Sequence, residues 1–295
     1  MSLSTDERWR LAQTEGPASE VGYLLVDASG TTFGFGRVRG DEPLGYRLAG
    51  RTVVDVALSP TGLGHWIATA DGDVVCVGDS PSHGNASDLA LAAPIVAIAA
   101  LSSGLGYWLI SSDGGVFAFG GARFHGSAGG EPLAQPIVDV APSPSGDGYW
   151  LVSADGGVFT FGDVQFYGSA GGLGLESPVI AAASTPTGEG YWIATAAGDV
   201  LTFGDAIYFG APTDLAGGTD DPVIGMSASR FSFGYWVATA GGSVHAFGDT
   251  YFLGNAPPGS IVDPVVAFDA VPGYFASTSA CRCHRICNCI GSCSA

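Results

Sequence analysis

Five cysteines and one histidine are crowded into the last fifteen residues of the chain, in the segment CRCHRICNCIGSCSA. Thiolates bind soft metal ions such as Zn²⁺ or Cu⁺, and an odd number of cysteines leaves one thiol over in any set of disulfides. One hypothesis is therefore a metal-binding protein that acts through a zinc or copper site in this Cys-rich tail, residues 281–295. Its candidate ligands are Cys281, Cys283, His284, Cys287, Cys289 and Cys293.

Two other hypotheses apply to the same tail. One is a redox element built on the thiols. The other is a frameshifted end of the repeat described below, because the tail begins where that repeat should continue as GGVFAFGD. A cysteine codon read one base later encodes Ala or Val, which suit a β-strand. The sequence leaves all three hypotheses open.

Aspartates that follow a glycine at the end of a short apolar run form a second candidate group. They are Asp79, Asp163, Asp205 and Asp249. A ring of carboxylates is typical of calcium, which takes six to eight oxygen ligands, so a structural calcium ion is one prediction. Arg37 and Gly121 occupy the same position in two other copies, however, which favours a role in a turn. Asp113 and Asp155, in DGG turns, are interpreted in the same way.

Five tryptophans, each preceded by Tyr or His, could stack on sugars or pack in a core. They are Trp66, Trp108, Trp150, Trp192 and Trp236. Packing is favoured, because each such side chain buries ~150–250 Å². The histidines at 65, 83, 125 and 245 are scattered, and no HExxH motif, paired-carboxylate site or nucleophile elbow is found. The sequence therefore predicts a protein that is not an enzyme, and a hydrolase is the least favoured reading.

The charge balance excludes several partners. The chain has 10 Lys+Arg, all of them arginine, against 28 Asp+Glu, for a formal charge of −18. Nucleic-acid binding requires cations that neutralise phosphates, and anionic membrane surfaces attract basic segments. No stretch approaches the roughly 20 apolar residues of a membrane helix, and the first residues lack the apolar centre of a signal peptide. We expect neither nucleic acid nor a membrane span.

An internal repeat organises these residues. The segments VGYLLV, LGHWIA, LGYWLI, DGYWLV, EGYWIA, FGYWVA and PGYFAS recur with glycine spacings of 42, 42, 42, 42, 44 and 39. Two further glycine markers, one in the FG pair and one ending runs such as QFYG, keep the same period. A fixed period of this length indicates a repeat architecture. The irregular spacings fall in connections rich in Gly, Pro and Asp, including residues 211–221.

Each repeat contains four short apolar runs separated by turn residues, as in PIVDVAP, YWLVSA, VFTFGD and VQFYGS. Such runs are typical of β-strands, and four strands in ~42 residues are typical of a β-propeller blade. The first run has one small and one bulky face, which suits the crowded centre of a propeller. The sequence thus predicts an all-β propeller of four-stranded blades, with a β-solenoid as the main competitor.

The sequence favours seven blades over six. The predicted domain is 1–280, with repeats at about 9–50, 51–92, 93–134, 135–176, 177–220, 221–262 and a partial 263–280. In the seven-bladed reading, residues 9–14 form the first strand of the first copy. In the alternative, six blades are closed by residues from both ends of the chain.

The segment GYWLVSADGGVFTFGDVQFYGSAGG closely resembles a repeat common in actinobacterial proteins, where tandem GYWL…DGGVFAFGDA units are often attached to cell-wall or extracellular enzyme domains. The resemblance covers roughly residues 21–278. It implies a propeller-like binding domain at the cell surface or outside the cell, and it supplies no catalytic residues.

These observations predict a non-catalytic binding or scaffold module for carbohydrate or a protein partner. The predicted contact surface is formed by the loops at 58–64, 100–106, 142–148, 184–190 and 228–234 and by residues 211–221. The candidate binding residues are Phe231 and Phe233 in one of these loops and Asp55 and Asp139 on the inward strands. No cofactor is predicted apart from the zinc, copper or calcium considered above.

Overall fold

The computed structural model describes residues 21–40, 44–219, 221–229 and 234–271, which form six three-stranded antiparallel sheets. This confirms the predicted all-β class and fits a β-propeller of tandem repeats. Helix in these residues is limited to α1 (Gly45–Leu48) and one 3₁₀ turn (Pro212–Asp214), and neither could cross a membrane. The strands are β1 Gly22–Asp27, β2 Thr32–Gly36, β3 Val53–Leu58, β4 His65–Thr69, β5 Val74–Val77, β6 Ile95–Ala100, β7 Gly106–Ser111, β8 Val116–Gly120, β9 Ile137–Pro142, β10 Gly148–Ser153, β11 Val158–Gly162, β12 Val179–Ser184, β13 Gly190–Thr195, β14 Val200–Gly204, β15 Val223–Ala228, β16 Gly234–Thr239, β17 Val244–Gly248 and β18 Val265–Val271.

Sheet 1 contains β18, β1 and β2 in that order, and sheets 2 to 6 take β3 to β17 in consecutive threes. We call β18, β3, β6, β9, β12 and β15 the first strands of sheets 1 to 6. The first strands contact one another in the order β3, β6, β9, β12, β15 and β18, and β18 also contacts β3. Both ends of the described chain therefore meet in sheet 1.

The segment predicted to begin a seventh repeat belongs to sheet 1. Val265–Val271 is hydrogen-bonded antiparallel to β1, with Phe268 opposite Leu25. It supplies the first strand that β1 and β2 lack, as the six-bladed alternative requires. Residues 9–14, the first strand in the seven-bladed reading, lie outside the described residues.

The turn between the second and third strands explains one recurring glycine. Gly156 has φ +83°, and a Cβ on it would lie 2.6 Å from the Cβ of Ala170. The N–H of Ala170 also donates to the Gly156 carbonyl at 2.9 Å. Gly72 and Gly114 meet Ala86 and Ala128 in the same way. The position thus needs glycine for both its backbone angle and its close contact.

Aromatic side chains pack between neighbouring sheets. The ring centroids of Trp150 and Tyr191 are 5.4 Å apart, as are those of Trp108 and Tyr149. The five repeated tryptophans are at most 2 % exposed. The prediction that they form the core is therefore confirmed.

The predicted fourth strand of each unit is wrong for the described residues. The run after β11, residues 164–169, forms no strand. Its backbone is bound instead by side chains from two sheets: Trp150 Nε1 donates to the Gln165 carbonyl at 2.8 Å, and Tyr191 Oη donates to the Gly168 carbonyl. The Tyr167 N–H donates back to Tyr191 Oη at 3.4 Å. Because these side chains occupy its backbone groups, the run does not extend the ladder of the third strand.

Candidate functional site

The aspartates at the ends of the third strands hold neighbouring loops. Asp79 accepts hydrogen bonds from Ser59 Oγ at 2.9 Å and Thr61 Oγ1 at 2.6 Å. Asp163 accepts from Ser145 Oγ at 2.7 Å, and Asp205 from Thr187 Oγ1 at 2.5 Å. Each bond fixes the loop between the first and second strands. The predicted role in local loop structure holds, but the donors are hydroxyl groups rather than the N–H groups of a turn.

The DGG aspartates have the predicted turn role. Asp155 Oδ1 accepts from Ser153 Oγ at 2.6 Å and from the Gly157 N–H at 3.2 Å. Asp113 makes the equivalent bonds to Ser111 and Gly115. Within the described part of the chain, no three His, Cys, Asp or Glu side chains are grouped so that they could hold a metal ion.

A central cavity of about 430 Å³ lies between the first strands of the six sheets. Three carboxylates line it, those of Asp55, Asp139 and Asp269. Asp55 and Asp139 are candidate binding residues from the sequence, and the structure brings them to this one cavity. The lining also includes a branched apolar residue at one matching position of each first strand: Val54, Val96, Val138, Ile180, Ile224 and Val266.

The cavity carboxylates join neighbouring sheets. Asp139 accepts from the N–H of Val140 and from the N–H of Ala182 on the next sheet, both at 2.7 Å. Asp269 accepts from Ala270 at 2.7 Å and from Leu58 of sheet 2 at 2.9 Å.

Asp55 makes the same pair of bonds, with Val56 at 2.8 Å and with Ile98 of sheet 3 at 2.9 Å. Asp269 was not predicted as a site residue, although the sequence places this acid on the small face of a first strand. Its sheet is assembled from both ends of the chain, so its place in the cavity depends on a distant pairing.

Burial in the cavity raises the pKa of two of its acids, Asp55 and Asp139. Burial raises the pKa of Asp139 to about 7, although the N–H donors of Ala182 and Val140 act in the opposite direction. Burial also raises the pKa of Asp55 well above its usual value, and the negative charge of Asp139 adds to the rise. Asp139 therefore titrates near neutral pH. The carboxylate oxygens of Asp55 and Asp139 also accept hydrogen bonds from backbone N–H groups, so these side chains have a structural role.

Aromatic rings at one repeated position remain exposed to solvent. Phe124 is 60 % exposed, Phe166 59 %, Tyr208 48 % and Phe252 37 %. Each lies two residues before the glycine that ends its run, on sheets 3, 4, 5 and 6. Ser82 takes this position on sheet 2. We call these four rings the aromatic row. The repeated runs RFHG, QFYG, IYFG and YFLG contained this signal, which the sequence analysis used only to measure the period.

Backbone and ring contacts on both sides hold the aromatic row outward. The residue before each ring accepts a bond from a buried tryptophan, as Gln165 does from Trp150. The residue after it packs on the tyrosine of the next sheet, as Tyr167 does on Tyr191 with centroids 6.1 Å apart. Because the Gln165 carbonyl and the Tyr167 ring are both held against the sheets, the ring between them, Phe166, stays in solvent.

Negative charge surrounds the middle of the row. Residues 126–229 contain no Lys, Arg or His. The carboxylates of Glu189 and Asp205 add to a raised pKa of Tyr167, beside Phe166, for which partial desolvation is the first cause. Tyr208 donates to Asp214 through its hydroxyl group, and the pKa of that hydroxyl is raised by desolvation and then by this carboxylate.

Several candidate residues fall outside the described residues. They are Phe231 and Phe233 and all six candidate metal ligands of the tail, Cys281, Cys283, His284, Cys287, Cys289 and Cys293. The predictions on the 228–234 loop and on a tail metal site therefore stay predictions.

No protein-family model matches the chain, and no curated protein is significantly similar to it.

Proposed function

We propose that the chain is a six-bladed β-propeller that acts as a non-catalytic binding module for carbohydrate or a protein partner. The six blades are the six sheets, and pairing of β18 with β1 closes the ring. Contacts of β18 with β3 on one side and with β15 on the other support this closure. The repeated fold then presents the same surface position once per blade.

The observation that carries the proposal is the aromatic row. Four large rings stay between 37 % and 60 % exposed at one repeat position, while the repeated Tyr and Trp rings of the second strands are buried. Exposed aromatic rings lose little conformational entropy on binding and offer a flat apolar face, so they are common anchors in binding sites.

The hydrogen bonds of the repeated acids support a role other than catalysis. Asp79, Asp163 and Asp205 accept bonds from loop hydroxyl groups, and Asp55 and Asp139 accept backbone N–H groups. A general base or nucleophile needs a group free to meet its substrate. These carboxylates therefore have a mainly structural role, as expected for a scaffold protein.

Glycan-array binding and capture of partner proteins test this function. The variant Phe124→Ser, Phe166→Ser, Tyr208→Ser and Phe252→Ser should lose at least tenfold in signal, because each ring contributes stacking area. The matched control is Leu89→Ser with Leu173→Ser, two leucines exposed by 51 % and 68 % outside the row. Equal binding by both variants would contradict a role for the row, and Phe231→Ala with Phe233→Ala then tests the loop prediction.

A further inference from the structure

We propose that the middle of the aromatic row, at Phe166 and Tyr208 with the carboxylates around them, binds a polymer of hexosamine units that carry free amino groups. This inference rests on the proposed binding function and names its ligand class. The site lies on sheets 4 and 5 and is bounded by Phe124 and Phe252 on the neighbouring sheets.

The charge of this region selects a cationic ligand. From residue 126 to residue 229 the chain has no basic side chain and twelve acidic ones, of which Asp139 lies in the central cavity; the others would repel an anionic glycan. The acids of this stretch are Glu131, Asp139, Asp147, Asp155, Asp163, Glu176, Glu189, Asp199, Asp205, Asp214, Asp220 and Asp221.

Some of these acids lie beside the rings. The carboxylates of Glu189 and Asp205 are close enough to the hydroxyl group of Tyr167, the residue after Phe166, to raise its pKa. The Tyr208 hydroxyl group donates a hydrogen bond to Asp214, and the carboxylate of Asp199 is near enough to raise the pKa of the same hydroxyl group. An ammonium group at this place gains a charge-assisted hydrogen bond to a carboxylate and attraction to the face of a ring.

The repetition of the rings favours a polymer with a repeating unit. Sheets 3 to 6 each offer one exposed ring at the same repeat position, and the runs between rings contain small residues such as Gly168 and Ser169. Isolated flat rings suit pyranose units, whose C–H faces cover one ring each. A protein partner is favoured by a continuous apolar patch with a buried centre, whereas the four rings of the row lie one to a sheet on sheets 3 to 6.

Calorimetric titration with two oligomers of equal length tests the ligand class. A β-1,4-linked glucosamine hexamer should bind, and the N-acetylated hexamer should bind at least tenfold more weakly because it lacks the ammonium groups. Raising the salt from 0.05 to 0.5 M should weaken the first interaction several-fold through screening of the carboxylates.

Variants connect the binding to these residues. Phe166→Ser with Tyr208→Ser should weaken glucosamine binding at least tenfold, and Glu189→Gln with Asp205→Asn about fivefold, by loss of charge-assisted bonds. Asp88→Asn, an exposed acid of the connection after sheet 2, is the matched control and should bind as the wild type does. Circular dichroism and the melting temperature confirm that each variant is folded.

Three results would overturn the inference. Equal binding of both hexamers would leave carbohydrate binding standing and reject the cationic class. Binding of a poly-lysine peptide but of neither hexamer, lost in the ring variant, would leave a protein partner in their place. Absence of binding to all three probes rejects the inference, and absence of any signal in the array and capture assays as well rejects the binding function itself.

Discussion

The packing between sheets 4 and 5 is aromatic, whereas the packing between sheets 1 and 2 is aliphatic. We call these contacts joint 4–5 and joint 1–2. In joint 4–5, Trp150 packs on Tyr191, whose hydroxyl group binds the run at 164–169. In joint 1–2, Leu24 stands in the tryptophan position and His65 in the tyrosine position. Both joints nonetheless carry a cavity carboxylate between their first strands, that of Asp139 or Asp269.

The difference between the two joints shows which residues of the repeat can be replaced. Joint 1–2 replaces the missing rings with two leucines packed beside Leu24, Leu48 of the short helix α1 and Leu44 just before it. Arg47 of the same helix donates to the Cys76 carbonyl at 2.5 Å. Apolar volume can therefore come from a connection instead of a strand, while the carboxylate bridge near the axis is kept in both joints.

Truncation of the aromatic pair should have the largest effect. Trp150→Ala should lower the free energy of unfolding by about 4 kcal/mol, because it leaves a large cavity and an unpaired Gln165 carbonyl. Leu24→Ala, its counterpart in joint 1–2, should cost about 3 kcal/mol. Urea denaturation at pH 7 measures both. A smaller loss for Trp150→Ala than for Leu24→Ala would reverse the ranking of the two joints.

The histidine of joint 1–2 should make this joint sensitive to acid. His65 is 3 % exposed, its Nε2 has no hydrogen-bond partner among the described residues, and burial followed by the charge of Arg47 lowers its pKa to about 4. Between pH 6.5 and 4 the unfolded state therefore binds a proton that the folded state refuses, so stability falls as the pH falls.

The variant His65→Gln separates this effect from the rest of the chain. Relative to His65→Gln, the wild type should lose roughly 3 kcal/mol of unfolding free energy between pH 7 and pH 4. Urea denaturation at each pH measures the difference, and the value at pH 7 is the baseline. A constant difference across this range would show that His65 does not carry the acid sensitivity.

The carboxylate of joint 4–5 should respond to pH with the opposite sign. Burial raises the pKa of Asp139 to about 7, so the folded state binds a proton that the unfolded state releases above pH 4. Relative to Asp139→Asn, the wild type should gain about 2 kcal/mol as the pH falls from 7 to 4. A difference that does not change with pH would contradict proton binding in the cavity.

Joint 4–5 was largely predictable from the sequence, and joint 1–2 was not. The repeat alone placed Trp150 and Tyr191 in one core, because four copies carry the same Tyr-Trp pair. Helix α1 and the pairing of β18 with β1 occur once, so no second copy could reveal them. The outward position of Phe166 depends on hydrogen bonds from two sheets, which a pattern within one repeat does not contain.

The smallest effect should come from one oxygen atom of joint 4–5. Tyr191→Phe removes the donor to the Gly168 carbonyl and the acceptor of the Tyr167 N–H, and it should cost about 1 kcal/mol. Tyr46→Phe, on α1 at 82 % exposure, is the matched control and should cost nothing measurable. Amide exchange adds a local measurement, since protection of the Tyr167 N–H should drop about fivefold in Tyr191→Phe. Unchanged protection at Tyr167 would mean that ring packing alone holds the run, and the two joints would then differ only in apolar volume.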